Sequence, residues 1–398
     1  MLSIGARHDG GLVQSDLRAA MPITEAWAYF DHAAVAPLCQ PAAEAIQLYA
    51  TQASHAGDTV WLTWKNGVEH TRRRAAKLLG AKADEITLTT NTTHGINLVA
   101  EGLDWLPGDN VVVLCDEFPS NLYPWMHLKS RGVETRLVST DAGRVDPDKL
   151  REACDRRTRL VTFSWIAYGA GERRDIDSFI EVAQECGANG GRGAWVLLDA
   201  IQGLGVFPLD VSQTPIDFLS ADGHKWLLGP EGAGIAYLRE ERLEEIRPTG
   251  VGWNSVVGCQ EFGKIELEFK PSAARFEGGS INMAGQLALG ASLGLLLGHD
   301  RDEVAAAVLE ITDYLCQQLR RHGASIHSHR SCYNNGHDPR SGIVSVSLPG
   351  HDPGEIRTRC AAERIAISVR EGRLRLSPHA YTTKDEVDHL VSTLPPAP

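Results

Sequence analysis

The sequence predicts an α/β protein with a mainly parallel sheet, and two observations lead to that fold class. Between about residues 75 and 240, short apolar runs alternate with stretches of helical periodicity, as expected when crossover helices join parallel strands. The runs are continuously apolar, as in Asn110–Leu114, and this is typical of strands covered on both faces. The 398 residues also allow more than one domain.

The elements of this region follow in order along the chain. A strand over 85–89 precedes a helix that places Ile96, Val99, Leu103 and Leu106 on one face. The other predicted elements are strands at 110–114, 135–139, 160–164, 195–198 and 218–220, with a helical stretch around 124–131.

After residue 290 the pattern changes to that of a smaller α+β domain. A long helix over 301–321 leads to a strand over 342–348, and a helix near 355–363 is followed by strands at 366–369 and 373–377. We therefore divide the chain into an N-terminal arm (1–30), a large domain (31–285) and a small C-terminal domain (286–398).

Charge and composition exclude several classes of function. The 39 basic and 51 acidic residues leave a net charge of −12, which disfavours nucleic acid and anionic membranes as partners. The run Arg72–Arg74 is expected on a solvated helix face. The apolar stretch 284–298 is too short to span a membrane, and no signal peptide is apparent, so we expect a cytoplasmic protein. The eight cysteines lack CxxC spacing, which predicts free thiols and no metal site.

Unusual polar residues follow four of the predicted strands, and ligands of open α/β sheets bind at the carboxyl ends of strands. Each residue alone has an ordinary explanation, such as a helix cap for Asp199, a surface position for Lys225 or a core position for Phe118. Four such strand ends together are hard to explain by chance. The candidates are Thr92, Thr93, His94, Phe118, Asp199, Gln202, His224 and Lys225.

This combination resembles the class V aminotransferase and cysteine desulfurase family of fold-type I enzymes, which depend on pyridoxal 5'-phosphate (PLP). The resemblance runs from residues 29–34 to residues 377–383. Its most specific parts are Asp-x-x-Gln at 199–202 and Gly-His-Lys at 223–225, followed by Gly-Pro-Glu-Gly at 229–232. The resemblance implies a PLP-dependent transferase fold whose large domain has a seven-stranded sheet and holds the cofactor. It also implies a homodimer with shared active sites.

The resemblance assigns roles to these residues. Lys225 is expected to form the Schiff base with PLP and then to move protons at Cα. Asp199 is expected beside the pyridine nitrogen, and Gln202 beside the phenolic oxygen. Phe118 takes the place of a ring-stacking histidine of the desulfurases, which keeps the stack without a proton carrier.

The phosphate of PLP is expected at the start of the helix that follows the strand over 85–89. Thr92, Thr93 and His94 begin that helix, whose free N–H groups favour an anion. The resemblance adds His224, and Ser280 for the phosphate of the neighbouring subunit. Asp222 stands where many relatives have serine, and it receives no role.

For an α-amino acid substrate, the resemblance points to an arginine that binds the carboxylate. Arg375 is the first candidate and Arg370 the second, because a guanidinium group binds a carboxylate through two hydrogen bonds. His32, His55 and Trp64 lie in segments that line the substrate side in relatives.

Desulfurases of this group carry a nucleophilic cysteine on a loop shortly before that arginine, and residues 369–375 contain none. Cys360 is expected in the core. Three hypotheses remain: an aminotransferase, which we favour; a β-eliminating lyase, such as a C–S lyase or a kynureninase-like hydrolase; and a non-catalytic binding protein. The intact Lys225, Asp199 and Gln202 argue against the third.

Overall fold

The computed structural model describes residues 10–187 and 193–396, so part of the predicted N-terminal arm (1–9) lies outside the described residues. The helices of the described residues are α1 Gly10–Ala19, α2 Gln40–Ala56, α3 Trp61–Leu79, α4 Thr92–Gly102, α5 Tyr123–His127, α6 Pro147–Ala153, α7 Ile176–Glu185, α8 Met283–Leu296, α9 Arg301–Arg321, α10 Pro353–Ala362 and α11 Lys384–Thr393.

The strands of the described residues are β1 Ala28–Tyr29, β2 Ile86–Thr89, β3 Asn110–Leu114, β4 Glu134–Val138, β5 Thr140–Asp141, β6 Arg144–Val145, β7 Thr158–Ser164, β8 Trp195–Asp199, β9 Phe218–Asp222, β10 Gly234–Leu238, β11 Ser325–Ile326, β12 Val344–Ser347, β13 Ile365–Ala366, β14 Ser368–Arg370 and β15 Arg373–Leu376. The predicted helix over 301–321 and strand over 110–114 agree with α9 and β3 to the residue.

A seven-stranded sheet forms the centre of the molecule, in the order β2-β10-β9-β8-β7-β3-β4. Neighbouring strands are parallel except for β10, which runs antiparallel to both β2 and β9. The predicted mainly parallel sheet is therefore confirmed. The sequence pattern missed β10, the strand that separates β2 from β9 in the sheet.

Helices cover both faces of this sheet, which explains why its central strands are continuously apolar. In β3, Val112 and Leu114 belong to one hydrophobic core, whereas Val111 and Val113 belong to the core on the opposite face. Successive side chains of a strand point to opposite faces, so an uninterrupted run of valine fills both cores.

A second sheet lies in the C-terminal part of the chain and has the order β11-β12-β15-β14. Its strands are antiparallel, and a separate core joins them to residues of α9, α10 and α11. The N-terminal segment reaches this part of the molecule as well, because β1 pairs in parallel with β13. An isolated bridge joins Asp31 to Ser377.

We expected the whole run Arg72–Arg74 on a solvated helix face, and this expectation is wrong for Arg72. Arg72 is buried, and its Nη1 and Nη2 atoms donate to the two carboxylate oxygens of Glu277 at 2.6 and 2.9 Å. Arg73 and Arg74 are exposed. Helical periodicity alone could not show that a glutamate distant in sequence covers this position.

Among the described residues, no helix is both long and apolar enough to cross a membrane.

Candidate active site

A cavity of about 300 Å³ opens at the carboxyl ends of the central strands. It brings together nine of the predicted residues: Thr92, Thr93, Phe118, Asp199, Gln202, His224, Lys225, Arg370 and Arg375. The lining also contains residues to which the sequence analysis gave no role, namely Ala33, Ala34, Val35, Asn91, Ser120, Ser164, Tyr168, Ile201 and Asp222. Chain segments far apart in sequence therefore meet at one point.

Lys225 and Asp199 form the titratable centre of the cavity. Desolvation lowers the pKa of Lys225, and the nearby Asp199 carboxylate partly opposes that shift. Burial raises the pKa of Asp199, while its Oδ1 accepts a hydrogen bond from the Ile201 N–H at 3.0 Å. A lysine whose pKa is lowered is available as a neutral amine nearer to neutral pH, as a nucleophile or base requires.

One hydrogen-bond donor and one hydrogen-bond acceptor orient the side-chain amide of Gln202. Its Oε1 accepts a hydrogen bond from the indole Nε1 of Trp226 at 2.9 Å, and its Nε2 donates to the carbonyl of Ala33 at 3.0 Å. An indole N–H can only donate and a carbonyl can only accept, so this orientation is unambiguous. The second hydrogen of Nε2 stays available to a ligand in the cavity.

The start of α4 lines the same cavity as Lys225, and the sequence predicts an anion site there. Asn91 caps the helix by accepting from the N–H of His94 at 2.8 Å, and the first-turn N–H groups of a helix lack partners within it. Thr93 donates from its hydroxyl to Ser120 Oγ at 2.7 Å, while Thr92 Oγ1 accepts from the N–H of Asp222 at 3.0 Å. These contacts tie the helix start to two neighbouring loops.

Asp222, which the sequence analysis left without a role, holds the loop that carries His224. Its Oδ1 accepts from the Gly223 N–H at 2.7 Å, and its Oδ2 lies 2.9 Å from His224 Nδ1. The carboxylate is therefore turned toward its own loop.

The loop that presents Phe118 is anchored by a buried ion pair that sequence reasoning missed. Glu117 accepts from Arg174 Nη1, from the backbone N–H of Ser164 (both at 2.8 Å) and from Asn121 Nδ2 at 3.0 Å. Phe118 lies against the cavity, with Lys225 Nζ 5.7 Å from its ring centroid. Arg174 is 57 residues away in sequence, so no local pattern could have revealed the pair.

Two arginines enter the cavity from the strands β14 and β15. Arg375 donates from Nη1 to the Tyr168 carbonyl at 3.0 Å, and its Nη2 lies 3.5 Å from Asp31 Oδ1. Burial lowers the pKa of Arg375 to about 10. Arg370 donates from Nη1 to the carbonyl of Val369 at 2.8 Å. Both guanidinium groups line the cavity, and their contact with a substrate stays a prediction.

His32 does not line the cavity, and its contact with substrate stays a prediction. Its side chain is fully buried, with Nδ1 2.9 Å from the Ser377 carbonyl and Nε2 2.6 Å from Tyr381 Oη. Both ring nitrogens are therefore engaged within the protein. His32 lies behind the cavity and connects distant segments of the chain.

Four other candidates lie outside the cavity. His55 is exposed on α2, where its Nδ1 is 2.9 Å from the Thr51 carbonyl. His94 lines a different pocket of about 220 Å³ together with Ser280. Trp64 and Ser280 line a further cavity of about 550 Å³. Contacts of these side chains with cofactor or substrate therefore stay predictions, and for Ser280 the prediction concerns the site of a partner subunit.

The donor set of the cavity fits PLP. An amine (Lys225), a buried carboxylate (Asp199), an amide donor (Gln202) and a helix N-terminus for a phosphate line the same space. Among the described residues, no group of three histidine, cysteine, aspartate or glutamate side chains is arranged to hold a metal ion.

Fold and site together define a PLP-dependent enzyme of fold type I. A family model described as aminotransferase class-V matches residues 28–390, and the chain belongs to this family. Its cofactor is PLP.

Curated relatives of this chain are named as desulfurases. A probable cysteine desulfurase of Methanothermobacter thermautotrophicus is 30% identical over 95% of this chain and 96% of its own length. A cysteine desulfurase of Escherichia coli is 29% identical over 82% of this chain and 81% of its own length.

Solved structures agree in fold. A cysteine desulfurase of Thermococcus onnurineus superposes with a TM-score of 0.84 at 24% identity, covering 95% of this chain and 96% of its own. A cystine C–S lyase in complex with its product cysteine persulfide superposes with a TM-score of 0.83 at 24% identity, covering 92% and 96% of the two chains. At these identities the likeness establishes the fold alone.

Proposed function

We propose that this chain is a PLP-dependent C–S lyase that eliminates the β-sulfur substituent of an α-amino acid and releases the sulfur in a product. One observation carries the proposal. Among the residues that the structure describes, no cysteine lines the cavity that contains Lys225, Asp199 and the two arginines. Transfer of sulfur to an enzyme thiol requires a thiolate near the substrate sulfur, so here the sulfur is expected to leave with a small molecule.

The cysteine nearest to Arg370 in sequence supports the same conclusion. Cys360 is fully buried in α10, within the core of the C-terminal part, and burial raises the pKa of its thiol to about 11. A buried, protonated thiol is a poor nucleophile. The names of the curated relatives favour a sulfur-containing amino acid as substrate.

When bound, PLP supplies an electron sink for the carbanion formed at Cα. Arg375 would hold the substrate carboxylate in the cavity that also contains the Lys225 amine. Lys225 Nζ then accepts the Cα proton, which its lowered pKa makes possible near neutral pH. Gln202 would hold the ring oxygen of PLP as a hydrogen-bond donor, and the Asp199 carboxylate would hold the ring nitrogen.

Transamination, which the sequence analysis favoured, is the second candidate. The match to an aminotransferase class-V model supports it, and the same lysine and aspartate would serve it. The two reactions differ in outcome. Elimination releases pyruvate and ammonia with every turnover, whereas transamination without an amino acceptor stops after one equivalent of keto acid.

The test is a product assay of the holoenzyme with L-cystine, L-cysteine and S-methyl-L-cysteine. We expect continuous release of pyruvate and ammonia in equal amounts, with the sulfur found in a low-molecular-weight persulfide or thiol. Lys225→Ala should abolish both the release and the visible absorbance of bound PLP, and the exposed Lys77→Ala should change neither. Release of a single equivalent of keto acid would establish transamination instead.

We also propose a homodimer in which Ser280 of each subunit reaches the PLP phosphate of the other. Two observations support it. Ser280 lies outside the cavity of its own chain, and the segment before it exposes large apolar side chains: Phe262 is 72% exposed, Ile265 91% and Leu267 73%. Such a patch needs a partner to cover it. Sedimentation velocity of the wild type and an Ile265→Asp/Leu267→Asp variant would reveal the dimer and its loss.

A further inference from the structure

We propose that the cavity is built for amino acids that carry a second anionic group, and that Arg370 receives this group while Arg375 holds the α-carboxylate. The proposal deepens the proposed function by naming the substrate class. It concerns binding, so it can be tested whether or not elimination follows.

The two arginines differ in whether a carboxylate of the protein lies within ion-pair distance of the guanidinium group. Arg375 has an acidic neighbour, Asp31, at 3.5 Å, and further contacts to the Tyr168 carbonyl at 3.0 Å and to Ser368 Oγ at 3.3 Å. These contacts fix the direction of its guanidinium group. Arg375 is therefore oriented in advance for one carboxylate.

Arg370 has no comparable partner. Within residues 10–187 and 193–396 no carboxylate forms an ion pair with it, and its one hydrogen bond goes from Nη1 to the carbonyl of Val369. The side chain is half-buried in the cavity wall. A partly desolvated cation without a counter-charge is expected to attract an anion, and a guanidinium group binds a carboxylate through two parallel hydrogen bonds.

The adjacent acidic residue, Glu371, forms no ion pair with Arg370 among the described residues. Glu371 begins the turn between β14 and β15 with a left-handed backbone (φ 51°). Its carboxylate lies over Gly169, where a Cβ atom would come within 2.8 Å of Oε1, and after burial it is the next cause that raises the pKa of the Tyr168 phenol. The turn therefore directs the glutamate toward the loop that contains Tyr168.

The carboxylates inside the cavity are also engaged elsewhere. Asp199 accepts from the N–H of Ile201, and Asp222 accepts from Gly223 beside His224. The phosphate of PLP is expected at the helix start near Thr92. It is therefore not the anion that pairs with Arg370. Arg370, which Asp31 influences only from beyond ion-pair distance, is consequently left to pair with the substrate.

This arrangement indicates a substrate class for the proposed lyase. A disulfide of two cysteines carries one α-carboxylate on each half, so L-cystine offers an anion to each arginine. An S-alkyl cysteine such as S-methyl-L-cysteine has a single carboxylate and engages Arg375 alone. The cavity should therefore prefer the dicarboxylate.

The experiment measures dissociation constants of L-cystine and S-methyl-L-cysteine from the fast change in the visible absorbance of the holoenzyme. Loss of one charge-assisted hydrogen-bonding group corresponds to about a 10- to 100-fold weaker affinity. In Arg370→Gln we expect such a loss for L-cystine and less than about a threefold change for S-methyl-L-cysteine. Arg375→Gln should weaken both ligands.

Two further variants make the experiment decisive. Arg370→Lys, which keeps the charge, should recover part of the affinity for L-cystine. Arg373→Gln, a change on the same hairpin outside the cavity, should leave both constants as in the wild type. An equal loss for both ligands in Arg370→Gln, or a loss for neither, would overturn the proposal. A selective loss without pyruvate release would support the anion site and contradict the proposed elimination.

Discussion

At the scale of single residues, a few buried hydrogen bonds decide which polar atoms of the cavity wall face a ligand. The indole of Trp226 sets which end of the Gln202 amide faces inward, and the Asp222 carboxylate accepts from the N–H of Gly223, which precedes His224. Neither Trp226 nor Asp222 stood out as a functional residue in the sequence. The residues that would touch PLP were identified from motifs, whereas the residues that orient them were found only from their contacts.

The buried pair of Arg72 and Glu277 provides a prediction at this scale. Replacement of Arg72 by methionine should lower the free energy of unfolding by about 3–5 kcal/mol, because it leaves the Glu277 carboxylate buried without a counter-charge. Urea unfolding measures the change. The adjacent and exposed Arg73→Met is the control and should stay within about 0.5 kcal/mol of wild type. Equal effects of the two variants would contradict the role of the pair.

At the scale of elements, the position of α4 on the sheet determines the anion site. The helix crosses β9 so closely that a Cβ atom at Gly95 would lie 2.2 Å from Ser220 Oγ and 3.1 Å from the Cβ of Ala236. Ser220 also donates from its hydroxyl to the carbonyl of Thr92 at 3.0 Å. The start of α4 is thereby held beside the end of β9, which leads to Lys225.

Substitution of Gly95 by alanine should disturb this contact. Helix propensity alone would favour alanine by about 1 kcal/mol, but overpacking against Ser220 costs about 1–3 kcal/mol. We expect lower stability and a weaker affinity for PLP, measured by urea unfolding and by titration of the apoenzyme with PLP.

The control for this prediction is Gly294→Ala in α8. A Cβ atom there would meet only the flexible end of Arg74, at 3.0 Å or more, so stability should be unchanged or slightly higher. The double variant Gly95→Ala/Ser220→Ala should regain part of the lost affinity. If Gly95→Ala bound PLP as tightly as the wild type, the close approach would not matter for the site.

At the scale of the whole molecule, His32 joins segments that lie at opposite ends of the chain. Its ring contacts Ser377 and Tyr381, which are 345 and 349 residues away in sequence, and it stacks on Trp226 with ring centroids 5.9 Å apart. His379 lies in the same cluster, 5.8 Å from Trp226. This buried aromatic cluster links the N-terminal segment and the C-terminal part to the loop of Lys225.

The cluster makes stability dependent on pH. Burial lowers the pKa of His32 from 6.5 to about 4, so between these values the unfolded chain binds a proton that the folded chain excludes. The contribution of His32 is complete above pH 6.5 and decreases as the pH falls toward 4. Between pH 7 and pH 5 it amounts to about 2 kcal/mol.

The measurement is the free energy of unfolding at both pH values for the wild type, for His32→Gln and for the exposed His55→Gln. The decrease between pH 7 and pH 5 should be smaller by about 2 kcal/mol in His32→Gln, because glutamine does not titrate. His55→Gln should behave as the wild type. An unchanged pH dependence in His32→Gln would mean that its ring is protonated in the folded protein as easily as in the unfolded chain.

Local sequence patterns were sufficient for the class of fold, and the resemblance that they carry was sufficient for the cofactor. Continuous apolar runs predicted β3, because a strand buried on both faces is apolar at every position. Helical periodicity predicted α9, because a helix buried on one face is apolar at every third or fourth position. The resemblance carried by Asp199, Gln202 and Lys225 then indicated PLP. All three side chains line one cavity.

The tertiary structure alone decided which other side chains reach that cavity. His32 is buried behind it, His55 is exposed, and Arg72 pairs with a glutamate 205 residues away. It also showed that Arg375 has the Asp31 carboxylate within 4 Å, whereas no ion pair of Arg370 is found among the described residues. The physical reason is that ion pairing and burial depend on groups from distant segments, and a local pattern contains no information about which segments will meet.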